Sequence, residues 1–382
     1  VNGFTHEVRF PSPLAPVMGA PDLSPGEFGV IARRLPAWTR PRITDPGFDF
    51  VVGMMSGVRV VTSTTADAIE LELAVTNIDP VSAPPAPAVV DLVVDGVVRA
   101  SATIAVDEQS LIDGTATIRQ RRPPTRVRFD GLGPDLTSIE LWLPHTTTAE
   151  VVALRSTAPL TAPDDRRPLW LHHGSSISQC GEALRPTGTW PSIAAREAGV
   201  RLRSLGFSGN AVGDPFVART IRDEPADLIS LEIGINVVNA DLMRRRMFES
   251  VLHGFLDTVR DGHPATPILL IGPIPCPAHE QHPGPTQLDP ATGQCTSVGD
   301  DRELERGAMN LEVVRDALAS VIDRRTDPRL GYLDGRILLP DAEVGDLDDG
   351  LHPNAAAYAR MGSRFAEHAL GRGGFLDPGR GS

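Results

Sequence analysis

The pattern of the chain changes near residue 158, and this change constrains the fold more than any other feature. Before it, residues 1–155 show short runs with strand character and no convincing amphipathic helix. After it, short apolar runs alternate with longer segments of helical period. Alternation with period two makes half-buried sheets, whereas repeated strand–helix units make a parallel sheet covered by helices on both faces. Two domains are therefore expected: an N-terminal arm and β-sandwich over 1–157, a polar, Pro-containing linker over 158–168, and an α/β domain over 169–382. The length of 382 residues, too great for one ordinary core, agrees with that division.

In the first part, residues 68–75 alternate strictly, with Ile69, Leu71, Leu73 and Val75 on one face and Glu70 and Glu72 on the other. Residues 89–94 and 97–100 flank Asp95-Gly96, a favoured hairpin turn. Further strands are expected at 126–129, 138–143 and 150–155, a spacing that suggests a β-sandwich of jelly-roll type. The Pro-rich first ~50 residues read as an irregular arm. In the second part, strands are expected at 169–173, 201–205, 228–233, 267–271 and 330–333. Helices are expected at 189–198, 215–223, 241–261, about 302–325 and 353–370, with Leu242, Phe248, Leu252, Phe255 and Val259 as core positions of the third. Pro353 reads as a first-turn proline of the last helix, and 273–299 reads as a loop.

Composition removes several chemistries. All 36 basic residues are arginine, so a P-loop, a Schiff-base or pyridoxal enzyme and a protein kinase each lack their lysine. A net charge of −13 argues against nucleic acid or an anionic membrane surface as the main partner. No stretch approaches the ~20 apolar residues of a membrane span. No His/Cys/Asp cluster has metal-ligand spacing, and adjacent His172 and His173 on a strand point to opposite faces. Cys276 and Cys295 are close enough in sequence to bridge one loop, but free thiols in a reducing, cytoplasmic bacterial setting fit the absence of any paired framework better. The first twenty residues lack an apolar leader core, although a chain opening at Val1 leaves a processed leader open.

In sheets of this kind ligands bind beyond the carboxyl ends of the strands. Gly174-Ser175-Ser176-Ile177 follows the first strand, Gly206-Phe207-Ser208-Gly209-Asn210 the second and Gly234-Ile235-Asn236 the third. Asp349-Gly350-Leu351-His352-Pro353-Asn354 precedes the last helix. A serine hydroxyl needs a neighbouring base to become a nucleophile. His352 is the candidate base, and Asp349 the carboxylate that would fix its tautomer. The N–H groups of Ser176 and Gly209 and the side-chain amide of Asn236 are candidate donors to an oxyanion. Singly, each has a plainer role: helix cap, turn residue or surface group. Together they supply one mechanism in order at four strand ends. Trp190 and Phe207 read as core first and acyl-pocket lining second. Arg244–Arg246 reads as a solvated face, with donor phosphates as the alternative partner.

This ordered set resembles the SGNH, or GDSL, hydrolase superfamily over about residues 168–370. Gly174-Ser175-Ser176 matches its first block and puts the nucleophile at Ser176. Gly209 matches the second block, Gly234-Ile235-Asn236 the third, and Asp349 with His352 the Asp-x-x-His of the last. Ser175 stands where the family usually has Asp, which leaves Ser175 and Ser178 as alternative reactive hydroxyls. The resemblance implies an α/β fold: a flavodoxin-like three-layer domain with strand order 2-1-3-4-5, working through an acyl-enzyme. An N-terminal sandwich occurs in carbohydrate acetylesterases of the superfamily. It also occurs in two-domain bacterial members that pass an aryl acyl group, such as salicylyl, from a coenzyme A thioester to a natural-product hydroxyl.

The expected function is O-acyl transfer from an acyl-coenzyme A co-substrate to the hydroxyl of a small molecule, with no permanently bound cofactor and no metal. An esterase or carbohydrate deacetylase using water is the first alternative. An inactive carbohydrate-binding or interaction protein is the second, which the complete residue set and the scarcity of Tyr and Trp disfavour.

Overall fold

The computed structural model of the protein describes residues 3–78, 87–105, 110–112, 118–120 and 122–379. The chain divides into two units. One comprises Val1–Arg166 with Arg185–Thr187, the other Arg167–Leu184 with Gly188–Ser382.

The first unit is built on two sheets of eight and six strands. Ala68–Ile78 lies in the larger sheet, paired on its two sides with Thr125–Asp130 and Thr148–Ser156. Its alternation does what the sequence suggests: Ile69, Leu71 and Leu73 are fully buried. Glu70 and Glu72 turn to the other face, where both bond Arg155. Ala88–Val94 and Val97–Ile104 form the hairpin of the smaller sheet, with Asp95 and Gly96 both at positive φ (49° and 79°) as its tight turn requires. The apolar faces of the two sheets share one core, which includes Val60, Leu71, Leu73, Val90 and Leu141.

The first fifty residues are not an irregular arm. His6–Arg9, Val17–Met18, Asp22–Pro25 and Val30–Arg33 all join the two sheets, and Pro46–Gly53 is an α-helix capped by the Asp45 side chain. Strands of two to four residues show too little periodicity to be read, and neighbouring strands supply their ladder bonds. Leu160–Thr161, inside the segment read as a linker, pairs with Ser63 and Thr64.

The second unit holds a five-stranded parallel sheet. In chain order its strands are Leu169–Gly174, Arg201–Gly206, Leu228–Glu232, Ile268–Ile271 and Leu330–Leu333. In space the order is 2-1-3-4-5. The third and fourth strands are buried along their whole length, as a sheet covered on both faces demands. The order reverses between the first and third strands, and a crevice opens at their carboxyl ends at such a reversal.

Helices Trp190–Glu197, Pro215–Asp223, Arg245–Gly262, Leu311–Arg324 and Ala355–Phe365 accompany the sheet. Three differ from expectation. The long helix starts at Arg245, so Leu242 lies outside it and is exposed, while Phe248, Leu252, Phe255 and Val259 are buried. The next is split, with a 3₁₀ segment Asp301–Arg306 before the α-helix begins. The last is capped by Asn354, whose side chain accepts the N–H of Ala357, and Pro353 sits before the cap. Within 273–299, Thr286–Leu288 and Cys295–Ser297 pair as a hairpin. No helix among the described residues is long and apolar enough to cross a membrane. Cys180, Cys276 and Cys295 are free thiols.

Candidate active site

The first strand ends in a turn that sorts its three serines. Ser175, extended at φ −83°, caps the one-turn helix Ser176–Gln179 by accepting the N–H of Ile177. Gly174 has no room for a Cβ, which would lie 2.1 Å from Ser178 Oγ and 2.7 Å from Glu232 Oε2. Ser175 donates both its N–H (2.8 Å) and its hydroxyl (2.7 Å) to Glu232 Oε2, and Ser178 donates to the same oxygen at 3.1 Å. Ser175 and Ser178 are buried, whereas Ser176 is partly exposed. Ser176 is therefore the serine of the turn that a substrate can reach, and Ser175 and Ser178 are committed to Glu232.

Ser176 Oγ lies 2.9 Å from His352 Nε2. On the far side of the ring, Nδ1 lies 2.7 Å from Asp349 Oδ2. A carboxylate only accepts, so Nδ1 carries the proton and Nε2 is left to accept from the serine hydroxyl. The other oxygen, Asp349 Oδ1, accepts the N–H groups of Leu351 (2.9 Å) and His352 (2.7 Å), which fixes the carboxylate. Burial works to raise the carboxyl pKa of Asp349, but hydrogen bonds from His352 outweigh it and hold the group at about 2. Burial works against a charged His352, and Asp349 together with Glu182 outweighs it, so the ring's pKa is raised above its ordinary 6.5.

The candidate oxyanion donors come from three strand ends tied together by hydrogen bonds. The N–H of Ser176 heads a helix turn and has no intrahelical partner. The second loop is held to the serine turn by Phe207 N–H on Gly174 O (2.7 Å) and Ser208 N–H on Gln179 Oε1 (3.0 Å). Gly209 has φ +72°, a conformation that disfavours any side chain. Asn236 is buried, and its Oδ1 accepts the N–H of Ala211 at 3.0 Å. That contact assigns the amide's orientation and leaves Nδ2 as the donor.

Sequence reading missed the polar network beneath the turn. His172 is fully buried, with Nε2 at 2.8 Å from Ser178 Oγ and Nδ1 at 2.7 Å from Ser230 Oγ, which also accepts from Trp170 Nε1. Burial, then the neighbouring His173, pushes its pKa down to about 3, so it stays neutral. His173 turns the other way, bonding Leu205 O and stacking on Phe255. The signal available in the sequence was Glu232, a lone carboxylate at the end of an apolar strand. Burial raises its pKa, and the Ser175 and Ser178 donors pull it back. Glu232→Ala leaves three buried donors without their acceptor. It should cost about 3 kcal/mol, read as a lower urea midpoint at unchanged slope. An unshifted midpoint would remove Glu232 as the anchor of the turn.

Trp190 and Phe207 are core residues: both are buried, and Trp190 Nε1 donates to Ile177 O. Arg244 and Arg245 are engaged by Glu303, Glu249 and Asp316. A cleft of about 810 Å³ is lined by Pro277, His282, Cys295, Ser297 and Asp301, among others. Neither Ser176 nor His352 lines it. It abuts the candidate site through Cys295, whose N–H donates to Asp349 O at 2.7 Å. Among the described residues, no group of three or more His, Cys, Asp or Glu is arranged to hold a metal ion.

Residues 173–360 match the GDSL-like lipase/acylhydrolase family. None of the curated proteins matches the sequence. Among solved structures, the salicylyl-acyltransferase SsfX3 from a tetracycline biosynthetic pathway is similar in fold. It shares 24% identity over 95% of this chain and 96% of its own, with a TM-score of 0.79. A family two carbohydrate esterase from Cellvibrio japonicus shares 13% identity over 94% of this chain and 96% of its own, at a TM-score of 0.57. The acetyl xylan esterase Est2A from Butyrivibrio proteoclasticus shares 11% over 85% and 92%, at 0.54.

Proposed function

Starting from a GDSL-like lipase/acylhydrolase domain over residues 173–360, we propose that the chain transfers acyl groups through an ester formed on Ser176. One observation carries this reading: the unbroken hydrogen-bonded run from Asp349 through His352 to the partly exposed serine of the turn. His352 Nε2 takes the hydroxyl proton as Ser176 Oγ bonds to the carbonyl carbon of an ester or thioester. The N–H groups of Ser176 and Gly209 and Nδ2 of Asn236 receive the developing oxyanion. The bond to the leaving group then breaks, and His352 returns the proton to it. In the second half, His352 deprotonates the acceptor as it attacks the acyl-serine; the ester bond to Ser176 Oγ then breaks, and His352 returns the proton to that oxygen.

The acceptor we favour is a hydroxyl of a small natural product, and the donor an acyl-coenzyme A thioester. The fold-wide likeness to a salicylyl acyltransferase supports this choice. A chain with no lysine and a net charge of −13 would hold such a polyanion through arginines and backbone N–H groups. The chemistry needs neither a metal nor a resident cofactor, and no nucleic acid or membrane partner is proposed. The likeness to carbohydrate esterases supports a second reading, with water as acceptor and an acetylated sugar as substrate.

Intact-mass spectrometry after exposure to a panel of acyl-coenzyme A thioesters and simple esters tests the proposal. An adduct of one acyl mass on Ser176 is expected. Its discharge by added alcohols faster than by water marks a transferase, and the reverse an esterase. No adduct, or one on another residue, would sink the serine reading.

The pH profile gives a further check. Only the neutral imidazole can accept the serine proton, and its pKa lies above 6.5 in the folded chain. kcat/KM should therefore fall as pH drops through a single ionisation above 6.5. Asp349 stays ionised down to about 2 and adds no limb in that range. A profile flat from pH 8 to 5 would exclude His352 as the base.

A further inference from the structure

His352 has a second carboxylate neighbour that the reaction as derived does not use. Cys180, at φ +59°, ends the one-turn helix in the left-handed region and redirects the chain. Two residues later, Glu182 Oε1 lies 3.9 Å from His352 Nδ1, the same ring nitrogen that Asp349 holds at 2.7 Å. Its other oxygen accepts the hydroxyl of Tyr358 at 2.9 Å. Tyr358 is fully buried on the helix Ala355–Phe365, so the anchor is rigid although the Glu182 side chain is 38% exposed.

The groups around the ring come from four elements. Asp349 shares its loop, Glu182 and Cys180 follow the first strand, Tyr358 comes from the last helix, and Cys295 approaches Asp349 from the hairpin. Burial holds the Tyr358 hydroxyl and the Cys180 thiol well above their ordinary pKa values and raises that of Cys295, so these stay neutral. Among the described residues, the charges acting on the ring are the two carboxylates.

We propose that Glu182, anchored by Tyr358, is a positioning residue that serves His352 as a second acid beside Asp349. The proposal rests on the reading of His352 as the base of acyl transfer. The separation exceeds hydrogen-bond length, so Glu182 acts by charge. It favours the imidazolium that forms when Ser176 gives up its proton, and solvent weakens the effect without removing it. It also gives His352 a reserve partner when Asp349 is neutralised.

The test compares pH profiles of ester hydrolysis, with para-nitrophenyl acetate as probe, for the unaltered protein, Glu182→Gln, Tyr358→Phe and Asp349→Asn, and for Asp349→Asn combined with Glu182→Gln. Removing a negative neighbour lowers the pKa of a histidine. Glu182→Gln should thus move the acid limb to lower pH by about half a unit and lower kcat about threefold with KM unchanged. Tyr358→Phe keeps the charge but frees it, and should give a smaller shift in the same direction. It also serves where Glu182→Gln does not fold. Adding Glu182→Gln to Asp349→Asn should cost about tenfold more, a larger factor than in the unaltered background. An unmoved limb with independent factors overturns the proposal. If Ser176→Ala is inactive while Glu182→Gln keeps the original limb, only the role of Glu182 fails. If Ser176→Ala is fully active, the serine reading fails and Glu182 falls with it.

Discussion

Ser176→Ala is expected to remove acyl-enzyme formation and to lower turnover about a thousandfold or more, with the fold kept. The size follows from the turn's offering no substitute nucleophile. Ser175 Oγ is spent as a helix cap and as a donor to Glu232, and Ser178 Oγ is held between His172 and the same carboxylate. Both are buried, so neither can reach a carbonyl without dismantling the turn. The stability cost should be small, because the Ser176 side chain is partly exposed and its side-chain partner among the described residues, His352 Nε2, can turn to water. Residual catalysis over water would come from the oxyanion donors and binding alone. The measurement pairs intact-mass spectrometry with steady-state rates for Ser176→Ala and Ser178→Ala. An acyl adduct surviving in Ser176→Ala and vanishing in Ser178→Ala would transfer the nucleophile's role to Ser178.

The candidate residues were legible because their signal is local. Each sits directly after a strand or before a helix, in a segment of three to six residues, and their order alone implied convergence. The burial of Phe248, Leu252, Phe255 and Val259 followed from periodicity in the same way, whereas the strand order was implied by the family resemblance. What stayed hidden depends on contacts distant in sequence. Glu232 reads as an anomaly in an apolar strand until Ser175, 57 residues earlier, is seen to donate to it twice. Glu182 gains meaning only beside Tyr358, 176 residues later. Three of the four short N-terminal strands exist because longer strands lend them partners, which no window of their own residues encodes. Pro353 misplaced the start of the last helix. A proline at N1 and one just before the cap differ by two residues, and only the Asn354 cap bond decides between them.

His352→Ala is the second large effect, and it separates the base from its orienting acid. Removing the imidazole leaves Ser176 with a neutral hydroxyl and nothing to take its proton, so turnover should fall by about 10³–10⁴. The acid limb above pH 6.5 should vanish with it, because the group that titrates there is gone. Asp349→Asn should cost less or at most as much, through a different route. Asp349 Oδ1 accepts two backbone N–H groups and Oδ2 accepts Nδ1–H of His352. An amide retains one acceptor oxygen, and keeping it on the backbone points its NH₂ at Nδ1. That forces the proton to Nε2, where it faces Ser176 and blocks proton transfer. Hence the carboxamide variant should keep its fold and its acid limb, shifted to lower pH, while losing rate. If His352→Ala loses its limb and Asp349→Asn keeps a shifted one, the roles are as assigned. A His352→Ala protein that retains the original limb would place the base elsewhere on the sheet edge.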